Sequence, residues 1–406
     1  MPEPTHIRPA DLHGVGRMVI DATLGITDLV EAVHSTILQV PWIFGQAVNR
    51  PTMGIPGLVY ASIRTVTTLV GTGLDLTLMP LLKQIEAQSS SPEREAVIAA
   101  LNGVVGDYLQ ATGNPLALPM SLRVDGQALT LEAPALAAAL PQVSGKILLM
   151  AHGLCLTDQH WDQEGHDHGA RLASELGYTP VYLHYNTGLH ISTNGRALAD
   201  MLAALINAWP VPVEELAILA HSMGGLVSRS ACHYASIADH AWLGYLRTII
   251  FLGTPHHGSP LERAGNWLDI ALQVSPYSAA FARVGQIRSA GITDLRYGSL
   301  LDEDWQGRDR FAPIADPRQP VPLPTGVACY MIAATTGSIE DEFQFHHNGD
   351  GLVPVESALG IHADQGLAMP PSATEQWIGY DMNHLDLLHR LDVYAQIRTW
   401  LAGSAP

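Results

Sequence analysis

The chain has 406 residues, 47% of them hydrophobic and only 15% charged, with a formal net charge of −18. That composition can build a large buried core, and the acidic balance excludes the phosphate-neutralising chemistry of nucleic-acid binding and opposes electrostatic docking on anionic membranes. Cys155, Cys232 and Cys329 are too few and too scattered for a disulfide framework, so they read as small buried hydrophobes, with a single bridge left open.

The first 21 residues carry no uninterrupted apolar stretch, so no conventional signal peptide is expected and the cytoplasm is the default location. Residues 1–115 read as a helical N-terminal extension. Apolar residues from Val19 to Leu38 fall near helical spacing and Pro41 ends the run; residues 58–85 and 91–108 continue the pattern, with Ser91 and Pro92 at cap and first-turn positions. Residues 56–82 are apolar but include Arg64 and Asp75. A membrane span would bury each at a cost of about 2.5–3.5 kcal/mol, so packed helices or a membrane-surface element are the better readings. Nothing in this extension looks catalytic; it is a packing appendage, or a cap, oligomer or membrane contact.

Residues 116–406 change character. Residues 122–131 read as a hairpin turning at Asp125-Gly126. Strands at 146–151, 180–185, 216–221 and 248–252 then alternate with helices at 168–177, 195–209 and 223–234, which implies a mostly parallel sheet with helices on both faces. The alternation fails over an insertion at about 259–325. There Trp267, Leu268, Ala271, Leu272, Tyr277 and Phe281 form an apolar patch, followed by prolines from Pro313 to Pro324. It is a lid over the site or a surface subdomain. Residues 326–334 and 376–380 resume the sheet, and 386–401 read as a final amphipathic helix.

The chemistry concentrates where strands end. Residues 216–221 drive an apolar strand into Ser222, and Met223-Gly-Gly225 opens a helix: a strand–turn–helix that presents a serine. Ala220 and Gly224 are small, as the crowded turn requires. The best acid after it is Asp350, between Gly349 and Gly351. The best base is His384, in the loop between the last strand and the last helix. Asp386 is the rival acid, although it reads first as an N-terminal helix charge; Glu340, Asp341 and Glu342 read as a solvated run, and His389 as a helix residue. The backbone N–H groups of Met223 and of Leu154, after His152-Gly153, are the expected oxyanion donors. His152, His160, Trp161, Tyr185 and Trp267 are candidates for bordering a substrate pocket, and His256 and His257 for shaping the loop beside the serine. His160, Asp162, Glu164, His166, Asp167 and His168 crowd together, but at no standard zinc spacing, and read as a polar rim.

Five blocks in order, Ala151-His-Gly-Leu154, Ala220-His-Ser-Met-Gly-Gly225, Leu252-Gly-Thr-Pro-His-His-Gly-Ser259, Gly349-Asp-Gly-Leu-Val353 and Asn383-His384, resemble the bacterial triacylglycerol-lipase-like esterases of the α/β-hydrolase superfamily. The resemblance spans about residues 145–401 and leaves residues 1–115 uncovered. It implies an α/β-hydrolase fold and the roles of nucleophile for Ser222, acid for Asp350, base for His384 and oxyanion donors for Leu154 and Met223. It implies a carboxylic ester hydrolase acting through an acyl-enzyme, with no cofactor; the apolar insertion and low charge point to small-molecule, hydrophobic esters as substrates. Alanine in place of the first elbow glycine departs from the common pattern, though some such lipases share it. Some members hold calcium near the histidine; Asp386 is one possible ligand, no others are identifiable, and no metal is assigned. Two other functions remain open: acyl transfer to an alcohol by the same triad, and a non-catalytic, membrane-associated binding protein on this fold. The sequence leaves the oligomeric state undetermined.

Overall fold

A computed structural model describes residues 14, 16–18, 20, 92–259, 288–310, 316–338, 349–369 and 374–403. The N-terminal helices expected at 19–38 and 58–85, the cap Ser91, the apolar patch with Trp267, and the acidic run 340–342 lie outside the described residues. The chain divides into two compact units, Met1–Arg94 with Ala111–Leu116, and Glu95–Gln110 with Ala117–Pro406. Within the first, Arg17 donates to the carbonyls of Thr112 and Gly113, and Asn114 to that of Gly14.

In chain order the elements are α1 (Pro92–Ala111), β1 (Ser121–Val124), β2 (Gln127–Ala128), α2 (Ala133–Ala139) and β3 (Lys146–Ala151). A small ribbon follows, β4 (Asp162–Gln163) and β5 (His166–Asp167), then α3 (His168–Leu176), β6 (Thr179–His184), α4 (Ile191–Ala208), β7 (Glu215–His221), α5 (Met223–Ile237) and β8 (Leu246–Leu252). Last come α6 (Ala290–Asp294), β9 (Ala328–Ala334), α7 (Val355–Ala358), β10 (Thr374–Gly379) and α8 (Leu391–Gly403).

Eight strands form one sheet in the order β10-β9-β8-β7-β3-β6-β1-β2. The six from β10 to β6 are parallel. Strand β7 is buried along its whole length, as expected of a parallel strand covered on both faces, which is why it reads as an unbroken apolar run. The antiparallel edge is the hairpin: Asp125 and Gly126 have φ of 50° and 71°, the left-handed pair a two-residue hairpin turn needs. With a sharp turn carrying Ser222 after β7, this mostly parallel, helix-covered sheet is the α/β-hydrolase arrangement. One core cluster fills the space between the sheet and α8, joining Leu148, Met150, Trp161, Leu219, Ile250 and Ile397.

Two elements differ from the sequence reading. Helix α4 starts at Ile191, not at 195, because the carboxylate of Asp294 accepts the Ile191 N–H at 2.8 Å and caps it from 103 positions away. A cap supplied from so far along the chain has no local signature. The expected final helix is split. Asp386–Leu388 is a 3₁₀ turn and α8 begins only at Leu391, so His389 lies between them. The cause is side-chain competition for the backbone: Asn383 Oδ1 accepts from Leu385 and Asp386, while Asp386 accepts from the Asn383 N–H at 2.7 Å. The described part of the insertion is laced onto α4 and α5, Trp305 Nε1 donating to Ser192 Oγ at 3.0 Å and Ser230 Oγ to Leu300 O at 2.8 Å. All three cysteines are buried and unbridged. Among the described residues, no helix is long and apolar enough to cross a membrane.

Because Asp294 also accepts from His190 Nδ1 at 3.0 Å, Asp294→Ala strips a buried cap of two partners. Urea unfolding should show a loss of about 1–3 kcal/mol; an unchanged midpoint would remove Asp294 as the reason α4 begins where it does.

Candidate active site

Ser222 follows β7 and caps α5 with φ 54° and ψ −126°, a left-handed conformation that a residue with a β-carbon holds only under constraint. The constraint comes from its surroundings. The Ser222 N–H donates to Leu252 O on β8 at 2.8 Å, and the Gly225 N–H closes the turn onto Ser222 O at 3.0 Å. A β-carbon at Gly224 would lie 2.5 Å from Ala151 O and 2.6 Å from His152 O. The start of α5 thus presses directly on the end of β3, and only glycine permits it. Across the gap, a β-carbon at Gly153 would lie 2.8 Å from Ser222 Cβ and 3.4 Å from its Oγ. The loop carrying Leu154 is therefore beside the hydroxyl. After Leu154 the chain turns sharply, with Cys155 at φ 61°. The Met223 N–H is at the first position of α5, where no intrahelical acceptor exists.

Asp350 sits in the loop after β9, between glycines with φ of 51° and 93°. Its Oδ1 accepts the Leu352 and Val353 N–H groups at 2.9 and 2.8 Å, which aims Oδ2 at His384. His384 Nδ1–H donates to that oxygen at 2.6 Å, a charge-assisted distance, and the His384 N–H donates to Asp350 O at 3.1 Å. With Nδ1–H committed to Asp350, Nε2 carries the ring's lone pair; it is buried and has no hydrogen-bond partner among the described residues, Ser222 included. Gly253, which links β8 to the next loop, abuts the ring: a β-carbon there would lie 3.1 Å from its Nδ1 and Cε1. The loop from Thr254 to Ser259 is tied to the Asp350 loop by Ser259 Oγ donating to Leu352 O at 2.6 Å, and to α7 by Ser357 Oγ donating to Gly258 O at 2.8 Å.

His221, to which the sequence reading gave no separate role, contacts His384. Its Nε2–H donates to His384 O at 3.1 Å, and the two rings are 4.5 Å apart. Burial, reinforced by His384, holds its pKa well below the ordinary imidazole value, so it stays neutral and keeps that tautomer. The only signal in the sequence was its position next to Ser222.

The proposed pocket residues take varied places. Trp161 is fully buried in the core and meets His221 edge-on at 6.5 Å, so it acts on the site through that ring. Tyr185 is buried as well; its hydroxyl donates to His152 O at 2.9 Å and its ring stacks on His152 at 4.7 Å, supporting the Gly153 loop from behind. His152 is buried, its pKa pushed down to about 3 by loss of solvent. His160 Nδ1 lies 2.9 Å from Thr157 Oγ1, within its own turn. His166 Nε2–H donates to His168 Nδ1 at 2.7 Å, and His168 Nε2–H to Leu387 O at 3.1 Å, which leashes α3 to the segment after His384. Asp167 caps α3 and accepts from Tyr182. Among the described residues no three histidine, cysteine or carboxylate ligands converge, and Asp386 accepts the Asn383 N–H at 2.7 Å.

A model of a domain of unknown function, DUF7379, matches residues 122–294. No curated protein matches the sequence. Among solved structures, the chain is similar to the mature lipase BlEst2 of Bacillus licheniformis, at 16% identity over 64% of this chain and 92% of that one, with a TM-score of 0.41. It is also similar to the esterase Pf2001 of Pyrococcus furiosus, at 11% identity over 64% and 82% of the two chains, TM-score 0.38. A third is carboxylesterase CesB of Bacillus subtilis, at 11% identity over 64% and 84%, TM-score 0.36.

Burial depresses the pKa of His168 from 6.5 to about 3. Between those values the unfolded chain binds a proton that the folded chain refuses, so stability is intact above pH 6.5 and falls as the pH drops. At pH 5 the loss from one such residue is about 2 kcal/mol. Urea unfolding at pH 7 and pH 5 should therefore show a pH-dependent loss smaller by about that amount in His168→Gln; an equal loss in both proteins would contradict a neutral His168.

Proposed function

We propose that this chain is a carboxylic ester hydrolase that uses Ser222 as nucleophile, His384 as general base and Asp350 as orienting acid. The observation that carries this reading is the 2.6 Å Asp350–His384 hydrogen bond, which leaves Nε2 as the acceptor, together with a serine held at φ 54° where a strand meets a helix. Ser222 Oγ attacks the ester carbonyl as His384 Nε2 takes its proton. The buried carboxylate of Asp350 stabilises the imidazolium that forms and fixes its ring. The negative charge that develops on the carbonyl oxygen is met by the N–H groups of Met223 and Leu154, each such donor contributing about 3 kcal/mol of transition-state stabilisation. The imidazolium then protonates the leaving alcohol. Water, deprotonated by the same nitrogen, cleaves the acyl-enzyme. His221 is a positioning residue: it holds the His384 carbonyl and so the loop that carries the base. A low fraction of charged residues and an apolar insertion support hydrophobic acyl esters as the substrate class.

Ser222→Ala should lower hydrolysis of a short aryl ester by about 10⁴-fold or more. It should also abolish covalent labelling by a serine-reactive phosphonate. Near-parental turnover in the variant would end the assignment, and folded parental protein that takes no label would favour a binding function on the same fold. Asp350→Asn leaves the shape of the turn and reverses the donor–acceptor logic at Nδ1, so a kcat loss of about 10³–10⁴ with little change in KM is expected. A loss confined to KM would place Asp350 in substrate binding instead. Product analysis with a competing alcohol separates hydrolysis from acyl transfer, since only an acceptor other than water yields a new ester.

A further inference from the structure

In the sequence, residues 92–111 read as part of an appendage without catalytic residues. In the structure the middle of α1 packs on the loops that follow β3 and β6 and on the cap of α6. Gly103 and Gly106, three positions apart on one face, make the contact. A β-carbon at Gly103 would overlap Cys155 Sγ and lie 3.3 Å from Cys155 Cα, and one at Gly106 would overlap Asn186 Oδ1. From the other side, a β-carbon at Gly188 would overlap Asn102 O. Between the two helix glycines, Val105 leaves helical geometry with φ −133° and ψ 20°. Two carbonyls of this stretch are taken by the packed loops: Ser289 Oγ donates to Gly103 O at 2.6 Å and Asn186 Nδ2 to Gly106 O at 2.9 Å.

Cys155 follows Leu154, and the turn that carries both is held from several sides. Gly153 O accepts the His152 Nδ1–H at 2.9 Å and the Leu156 N–H at 3.3 Å. The Cys155 N–H donates to Thr187 Oγ1 at 3.2 Å, and its Sγ–H to Ala100 O of α1 at 3.8 Å. Burial pushes that thiol up to about 12, so it stays protonated and serves as a packing group. Across a trans peptide the N–H points away from the carbonyl, so the bonds that fix Gly153 O also fix the direction of the Leu154 N–H. Among the described residues nothing accepts that N–H, although Leu154 is buried. A buried backbone donor is ordinarily paired; one left open beside a serine hydroxyl is placed to meet a negative oxygen.

We propose that α1 belongs to the catalytic apparatus: Gly103 lets the helix press on Cys155, and this contact sets the position of the Leu154 N–H, a role that rests on the esterase reading. Gly103 and Cys155 are positioning residues, acting through Leu154 without touching substrate. The contact is tight enough for the task, since the helix meets the turn with only the thiol between the two backbones. A shift of about 1 Å in such a donor is enough to slow the chemical step severely.

Steady-state kinetics with para-nitrophenyl butanoate test the role. Gly103→Ala inserts a methyl where the thiol sits. It should lower kcat about tenfold or more and leave KM within about twofold, because a displaced donor is missed in the transition state and not in the ground state. Cys155→Gly, at a φ of 61° that glycine accepts readily, opens a gap between α1 and the turn. It should lower kcat about threefold or more, again with KM little changed. In the double variant the methyl fills that gap, so turnover should be about fivefold or more faster than in Gly103→Ala. A purely structural role would lower thermal stability and leave kcat of the folded protein intact. Unchanged kcat in folded Gly103→Ala, a loss carried by KM, or a double variant no faster than Gly103→Ala would overturn the proposal. If Gly103→Ala does not fold, Cys155→Gly decides alone, and parental kcat in that variant overturns it. Failure of the esterase reading looks different: the parental chain itself would neither hydrolyse the ester nor take a phosphonate label, and the proposal would fall with it.

Discussion

The close approach of α5 to the end of β3 organises the molecule. Gly224 lies against the carbonyls of Ala151 and His152, and Gly153 lies against Ser222. That contact forces the left-handed backbone at Ser222 and brings the turns carrying Leu154 and Met223, after β3 and after β7, to one point. Strain of this kind persists only where the surroundings over-determine it. Here the Leu252 carbonyl on β8, the turn closed by Gly225 and the fully buried strand β7 supply that surrounding. The parallel sheet is thus the device that turns a one-residue strain into a fixed oxygen position.

Electrostatically, the neighbourhood of the serine is built from neutral imidazoles. His152, His221 and His256 are all buried, and loss of solvent depresses the pKa of each. Neutral rings donate and accept in fixed tautomers without placing like charges beside His384. His384 alone among the histidines beside Ser222 faces a carboxylate, through Asp350. One ring therefore carries an acid partner and the others act as rigid hydrogen-bonding spacers. His221 holds the His384 backbone and Tyr185 holds the His152 carbonyl.

Much of this was legible in the residues. Strands β3, β7 and β8 are built on apolar runs, residues 147–151, 216–220 and 249–252, because both faces are covered there; Ser222 follows β7 directly and Gly253 follows β8. Asp125-Gly126 announced the edge hairpin through its demand for positive φ. Other features were not legible, for one recurring reason: the partner is remote in sequence. Asp294 caps α4 from 103 positions away, and His221 bonds to a carbonyl 163 positions away. Trp161 looked like a pocket residue because aromatic side chains suit both cores and pockets, and composition cannot separate the two. The split of the final helix was decided by Asn383 and Asp386 trading hydrogen bonds with the local backbone, a competition whose outcome depends on how the loop is anchored at both ends.

By itself, then, the sequence determined what is local: hydrophobic period, turn chemistry, the small residues a tight elbow requires, and the order in which serine, acid and histidine occur. These follow from backbone sterics and burial acting over a few residues. Tertiary structure decided what depends on convergence. It placed the carboxylate of Asp350 against His384 and kept the neighbouring imidazoles neutral. Distance, desolvation and charge balance are properties of groups brought together from distant parts of the chain, and no single stretch of sequence contains them.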